Sequence, residues 1–139
     1  MLDLDYAFLA DYATIQNGTL TAIGASLTSL EVDSLPSVAM FSIAGRLRCD
    51  EPTRNAVSMS LRIIAPGDEG ASIEATNILD ASESTHPPYR GHRRGIVFAV
   101  QVSLPLLTPG LYQVEVDLED TDGIDRVLRF DVSQPSPED

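Results

Sequence analysis

The stretch that decides the fold is Thr108-Pro109-Gly110-Leu111-Tyr112-Gln113-Val114-Glu115-Val116-Asp117-Leu118. From Tyr112 onward, apolar and polar residues alternate one by one. Because successive side chains of a strand point to opposite faces of the sheet, this alternation predicts a strand with one buried face and one solvated face. A turn over residues 120–123 and a second apolar-rich run over residues 124–132 follow it. The end of the chain is therefore predicted to be a pair of strands.

Gly110 and Tyr112 give the strand that begins near residue 110 a Gly-x-Tyr start. That start resembles the tyrosine corner of immunoglobulin-like sandwiches, in which the tyrosine hydroxyl bonds back to the preceding backbone. We therefore interpret Gly110 and Tyr112 as structural residues.

The rest of the sequence extends the same pattern without any helical period. Asn17-Gly18 is a typical type I′ hairpin turn, which makes both residues structural. Short strands separated by Gly and Pro predict a sandwich or a small barrel. We expect an all-β fold, a single immunoglobulin-like or C2-like antiparallel β-sandwich over residues 1–132, with a disordered polar tail at 133–139. The eight predicted strands are 4–15, 19–27, 38–49, 56–65, 72–79, 95–104, 112–119 and 124–132.

The first predicted strand is less regular than the others. Strict alternation would place six side chains on one face, and the opposite face would be mixed. This pattern is typical either of a core strand with an irregular outer face or of an apolar edge that pairs with a second subunit. The six are Leu2, Leu4, Tyr6, Phe8, Ala10 and Tyr12.

Composition limits the partners and the compartment. The net charge is −12 and the pI is near 4.3, so the chain would repel phosphate backbones, and we expect no nucleic-acid binding. With Cys49 as the single cysteine, no intramolecular disulfide can form. No apolar run is long enough for a signal peptide or a transmembrane span. We expect a cytoplasmic protein that does not bind membranes.

The N-terminal half contains Asp5-Tyr6-Ala7-Phe8-Leu9-Ala10-Asp11-Tyr12-Ala13, the Asn17-Gly18 hairpin, Pro36 and Arg46-Leu47-Arg48. With the later Gly-x-Tyr strand, these features resemble a family of small, uncharacterised, mostly actinobacterial all-β proteins over most of the chain. The chain departs from the family pattern at Thr19, where a lysine is usual, and at Gly24-Ala25-Ser26, where glycines are usual. The resemblance implies the fold and a bacterial origin, and no activity.

The final turn is the best candidate for a metal site. Asp120 and Asp122 resemble half of a calcium loop, but Leu118 and Arg129 occupy two positions that an EF-hand needs for ligands. A C2-like calcium site would require Asp33 or Asp68 in addition. Solvated acidic turns are the ordinary alternative.

No catalytic constellation is visible. His86 and His92 have no carboxylate or thiol at ligand spacing, and Ser84 near His86 lacks a nucleophile elbow. Cys49 falls on the apolar face of its strand, which predicts a buried thiol. We therefore expect no enzyme activity and no cofactor.

One local charge anomaly remains. All nine basic residues are arginine, and three of them fall within Tyr89-Arg90-Gly91-His92-Arg93-Arg94. The simple interpretation is a mobile, solvated loop. The functional interpretation is a partner-binding element of Tyr89, Arg90, His92, Arg93 and Arg94. It would contact the acidic final hairpin of a second copy of the chain, an anionic ligand or another protein. The sequence thus favours a non-catalytic interaction or assembly module, with a small-ligand or carbohydrate-binding sandwich and a calcium-dependent C2-like module as alternatives.

Overall fold

Ten strands make up the fold seen in a computed structural model, which describes residues 2–67, 71–82, 85–88 and 93–135. The described residues contain no helix, and so no helix long and apolar enough to cross a membrane. The strands are β1 (Leu2–Ala10), β2 (Tyr12–Gln16), β3 (Thr19–Ile23), β4 (Ser29–Glu31), β5 (Ser37–Cys49), β6 (Ala56–Ile64), β7 (Ser72–Asp80), β8 (Arg94–Leu106), β9 (Gly110–Leu118) and β10 (Arg126–Ser133).

Two of the three sheets share one hydrophobic core. The three-stranded sheet has the order β1-β5-β8, and the five-stranded sheet has the order β4-β10-β9-β6-β7. Phe41 and Ile96 from the first sheet pack with Val114 and Phe130 from the second, and all four are buried. The alternating apolar residues predicted for β5, β6, β8 and β9 line this core, as the period of two requires.

The all-β fold is confirmed, but its details differ from the prediction. The segment predicted as one strand over residues 4–15 is two strands, because the chain leaves one sheet after Ala10 and starts a hairpin at Tyr12. β4 has only three residues, too few to show a period. It pairs in parallel with β10, from Ser29 beside Asp131 to Glu31 beside Ser133, so the arrangement is not wholly antiparallel.

The predicted faces of the first strand are wrong beyond Leu4. Leu4 pairs with Leu47 and Tyr6 pairs with Arg46, so Asp5 is an extra residue that forms a β-bulge. Such an insertion shifts every later side chain to the other face. Leu2, Leu4 and Leu9 are therefore buried, whereas Tyr6 is exposed.

The β2–β3 hairpin covers part of the outer face of the three-stranded sheet. Asn17 and Gly18 have φ values of 53° and 76°, the two positive values that a type I′ turn needs. The Ala13 backbone N–H donates to Ser42 Oγ at 2.9 Å. Small residues allow the close packing here: Ala10, Ala13 and Ala44 are all buried.

The two packed sheets are unequal in width at one edge. β7 is the last strand of the five-stranded sheet, and its inward residues Ile73 and Ala75 lie beside the buried Ile63 and Leu61 of β6. Ile73 is nevertheless 50% exposed and Ala75 is exposed, whereas the inward residues of β8 are buried or half-buried. β7 therefore projects beyond β8, and this edge of the core is open.

Candidate interaction surface

The corner at the start of β9 has the predicted hydrogen bond. The Tyr112 hydroxyl donates to the Thr108 carbonyl oxygen at 2.8 Å, and the Tyr112 ring stacks on Phe130 with centroids 5.2 Å apart. Gly110 has φ of 128°, a conformation that side chains disfavour, and a Cβ there would approach Pro66 to 3.1 Å. This corner fixes the path of the chain between β8 and β9.

The segment from Tyr89 to Arg94, which we call the arginine loop, is only partly within the described residues. Tyr89, Arg90 and His92 lie outside them. Arg93 is exposed, and Arg94 is 2% exposed. Arg94 is therefore not available to a partner in this conformation, and the candidate contact reduces to Arg93 together with the three residues outside the described part.

Arg94 instead joins two connections of its own chain. Its guanidinium donates to the backbone carbonyls of Glu51, Arg54 and Ala81, with a distance of 2.8 Å to the Arg54 oxygen, and contacts Cys49 Sγ at 3.6 Å. These bonds hold the β5–β6 and β7–β8 connections together. The sequence did contain a signal for this role, because Arg94 is in phase with the inward residues Ile96 and Phe98.

An arginine already occupies the acidic end of the molecule. The Arg54 guanidinium binds Glu119 and, at 3.0 Å, Asp120 Oδ2, and it binds Glu51 at 2.8 Å. Hydrogen bonding to Arg54 lowers the pKa of Glu51, and the same bond with Glu51 is the main cause that raises the pKa of Arg54. Asp122 is exposed. Within the described ranges, no group of three or more His, Cys, Asp or Glu side chains could hold a metal ion.

Two further carboxylates have shifted pKa values. Burial raises the pKa of Asp117, and the adjacent Asp125 raises it further. Asp125 itself accepts from the Leu118 N–H at 2.7 Å and from the Thr121 hydroxyl at 2.9 Å. At the end of β7, hydrogen bonds from Ser82, together with one from Thr85, lower the pKa of Asp80 to about 2. Asp125 and Asp80 thereby order the turns that follow β9 and β7.

A polar cleft lies on the outer face of the three-stranded sheet. Tyr6, Arg46, His86 and Gly95 line it together with the Asn17–Leu20 hairpin turn, around a volume of about 460 Å³. The Arg46 guanidinium is bonded to Asp5 and lies over the Tyr6 ring at 5.6 Å from its centroid. Because its charge is already paired with Asp5, Arg46 is a poor anion site.

An apolar concavity follows the open edge between β7 and β8. We call it the open-edge groove and define it by Ile73, Ala75 and Asn77 of β7 and Val100, Val102 and Leu104 of β8. Near the tyrosine corner it widens to about 410 Å³, where Ile63, Pro66, Leu107 and Tyr112 complete the wall. Its middle part encloses about 250 Å³.

The groove has unsatisfied hydrogen-bonding groups along its length. In the part of the chain that the structure describes, β7 pairs only with β6 and β8 only with β5, so each strand has one free edge. Asn77 Nδ2 is buried without a hydrogen-bond partner. The described side chains that line the groove carry no charge. Free strand edges next to exposed apolar residues are typical of interaction surfaces.

Sequence reasoning missed this surface. The period of two identifies the faces of β7 and β8 but not the strands beside them. A weak signal was present, because Gly95 to Leu106 contains no charged residue in a chain with 22% charged residues. Edge strands usually carry charges that discourage pairing with another chain.

Comparison with known proteins gives a family without an assigned activity. The model of a family of unknown function, DUF6941, matches residues 5–130. A search of curated proteins found no match.

Proposed function

Since the chain belongs to DUF6941, a family of unknown function, we propose its role from its surface: it is a non-catalytic interaction module that self-associates through the open-edge groove. In this role it can stand alone as an oligomer or join a larger bacterial assembly. The single observation that carries the proposal is the groove itself, with an apolar floor and a free strand edge on each side.

The energetics of the groove support association. Ile73 is 50% exposed and Leu107 is 68% exposed, and both line the groove. Removing such side chains from water stabilises a complex by about 25 cal/mol for each Å² of apolar surface. A free strand edge adds backbone hydrogen bonds to any strand that joins it.

The finer features of the proposal rest on particular residues. We describe the two packed sheets as an immunoglobulin-like sandwich because Tyr112 makes the corner hydrogen bond to Thr108. We place the protein in the cytoplasm because its single cysteine, Cys49, is a buried free thiol. A protein partner, including a second copy, suits the uncharged groove better than a nucleic acid does.

The test is light scattering coupled to size exclusion at low and high salt. Self-association through an apolar groove should persist or strengthen in high salt, because salt does not screen apolar contacts. A contact between the arginine loop and the acidic hairpin would instead weaken in high salt. A monomer at both salts and at high protein concentration would overturn the self-association proposal.

A second candidate function is small-ligand binding. The corner end of the groove, at about 410 Å³, is within the size range of small-molecule sites, roughly 300 to 1,000 Å³. Its lining favours an apolar ligand over a sugar, since Tyr112, its one aromatic residue among the described ones, is only 2% exposed. A thermal-shift screen with short fatty acids and aromatic acids tests this candidate, and an unchanged melting temperature across the series would exclude those ligands.

A further inference from the structure

We propose that two copies of the chain join edge to edge about a two-fold axis parallel to the strands, so that β7 of each copy becomes a fourth strand beside β8 of the other. This inference rests on the proposed self-association and specifies its geometry. In the dimer, each three-stranded sheet continues into the five-stranded sheet of the partner.

The shape of the open edge is complementary to itself under this symmetry. At this edge β7 extends beyond β8, so part of the inward face of β7 has no strand opposite it. We call the space opposite that uncovered face, beside the free edge of β8, the step. A rotation of 180° about an axis along the groove exchanges the two sheets and places the projecting β7 of one copy in the step of the other. Each β7 then covers the inward face of its partner.

The strand directions are correct for pairing. The end of β7 lies beside the start of β8, where Arg94 bonds to the Ala81 carbonyl, and Ile73 near the start of β7 lines the groove with Leu104 near the end of β8. The two strands therefore run in opposite directions. A rotation about an axis parallel to the strands preserves direction, and the partner's β7 is therefore antiparallel to β8. The tip of the β2–β3 hairpin lies beside Val97 and Ala99, which leaves Val100 to Leu106 as the free length of β8.

The side chains at the joint are compatible with a second copy. The same rotation brings the two Asn77 side chains to the same level on opposite sides of the axis. An amide carries both a donor and an acceptor, so the two can satisfy each other, including the buried Nδ2 that has no partner within one chain. The inward residues Ile73 and Ala75 add apolar contacts without charge, which matters for two chains of net charge −12.

Other pairings of the same edges leave more apolar surface in water. If β7 paired with β7 of a second copy, the wider sheets would join while both β8 strands stayed apart, and the inward face of Ile73 would remain exposed. If β8 paired with β8, the projecting β7 strands would collide above them. The pairing of β7 with β8 both covers the step and uses each free edge.

A charge in the groove tests whether this edge is the interface. Ile73→Lys places two positive charges near the axis and should raise the dimer dissociation constant by roughly 100-fold or more. Leu111→Lys is the matched control, because Leu111 is 51% exposed on the outer face of β9, in the same sheet. Sedimentation equilibrium should show a dimer for the Leu111 variant and dissociation for the Ile73 variant, with both melting cooperatively. Equal dimerisation of the two variants would overturn the proposal.

Disulfide trapping tests the pairing itself. Ser103 of β8 and Glu74 of β7 are both exposed and point outward, near the same level as Leu104 and Ile73. Mixing Ser103→Cys with Glu74→Cys under mild oxidation should give a mixed covalent dimer, and each variant alone should give none. A second mixture, of Ser103→Cys with Thr76→Cys, tests a pairing of β7 with β8 that is shifted by two residues.

The outcomes separate this inference from the proposed function. A mixed dimer with one of the two β7 variants supports the joint. A noncovalent dimer that forms no mixed disulfide overturns the β7–β8 pairing and leaves self-association standing. A dimer in which Thr76→Cys or Ser103→Cys forms a disulfide with a second copy of the same variant has the same meaning. A protein that is monomeric in every variant and in the native sequence overturns both.

Discussion

At the scale of single residues, Arg94 is the clearest example of a side chain whose role reverses between sequence and structure. Its buried guanidinium binds three backbone carbonyls from two connections. Arg94→Met keeps most of the volume and removes these bonds, so we expect a loss of about 3 kcal/mol or more in the free energy of unfolding. The neighbouring Arg93→Met, on an exposed side chain, is the control and should cost less than about 0.5 kcal/mol. Urea denaturation of both variants measures the difference, and equal losses would contradict the structural role of Arg94.

Tyr112 tests the corner at the same scale. Tyr112→Phe leaves the Thr108 carbonyl without its donor, and we expect a loss of about 1 to 3 kcal/mol in the free energy of unfolding. Tyr12→Phe removes the same hydroxyl from a side chain that is 50% exposed and should change stability little. If the melting temperatures of the two variants agree, the corner hydrogen bond contributes nothing to stability.

Asp117 gives the chain a pH-dependent weakness. Its pKa in the folded state is raised above the ordinary value of 3.8, so the ionised carboxylate is less favourable in the folded chain than in the unfolded one. Asp117→Asn should therefore raise the melting temperature at pH 7, and this gain should shrink as the pH falls towards 3.8 and the native carboxyl takes up its proton. Asp122→Asn removes the same net charge at an exposed position and should give a smaller gain. A gain independent of pH would contradict this account.

At the scale of elements, β1 and β5 pack more closely than strands with side chains normally can. A Cβ on Gly45 would overlap the Tyr6 carbonyl oxygen and lie 2.8 Å from Phe98 Cζ. We expect Gly45→Ala to lower the free energy of unfolding by about 1 to 3 kcal/mol. Gly95→Ala, in the neighbouring strand β8, meets only the flexible Arg46 side chain at 3.3 Å and is the control. Thermal melts that rank Gly95→Ala as the more damaging change would contradict the close approach.

The elements also show how far the sequence could lead. Period-two alternation was sufficient to predict β5, β6, β8 and β9 and their buried faces, because burial on one side directly determines that pattern. The Asn17-Gly18 hairpin was predictable because few residues tolerate two positive φ values. The bulge at Asp5 was not, since its cause is the pairing of β1 with β5, far along the chain. β4, with three residues, is too short to show the alternation of a strand.

At the scale of the whole molecule, function depends on what the sheets leave uncovered. The sequence reveals which residues face inward, but coverage depends on how many strands each sheet contains. Ile73 shows the difference. Its place in the alternation is that of a core residue, yet it is half exposed because the opposite sheet ends at β8 and has no further strand to cover it. The arginine loop attracted attention because charge is visible in a sequence. The open-edge groove becomes visible only with the strand order.

The parallel pairing of β4 with β10 also has a consequence for synthesis on the ribosome. Ser29 is made about a hundred residues before its neighbour Asp131, which takes roughly 5 to 20 s at ordinary elongation rates. Throughout that time β4 has no strand to join, and β9, once it is made, lacks β10 on its second side. The nascent chain must therefore wait, partly exposed, until β10 has left the exit tunnel. Chaperones that hold nascent chains would meet this protein before it can close its core.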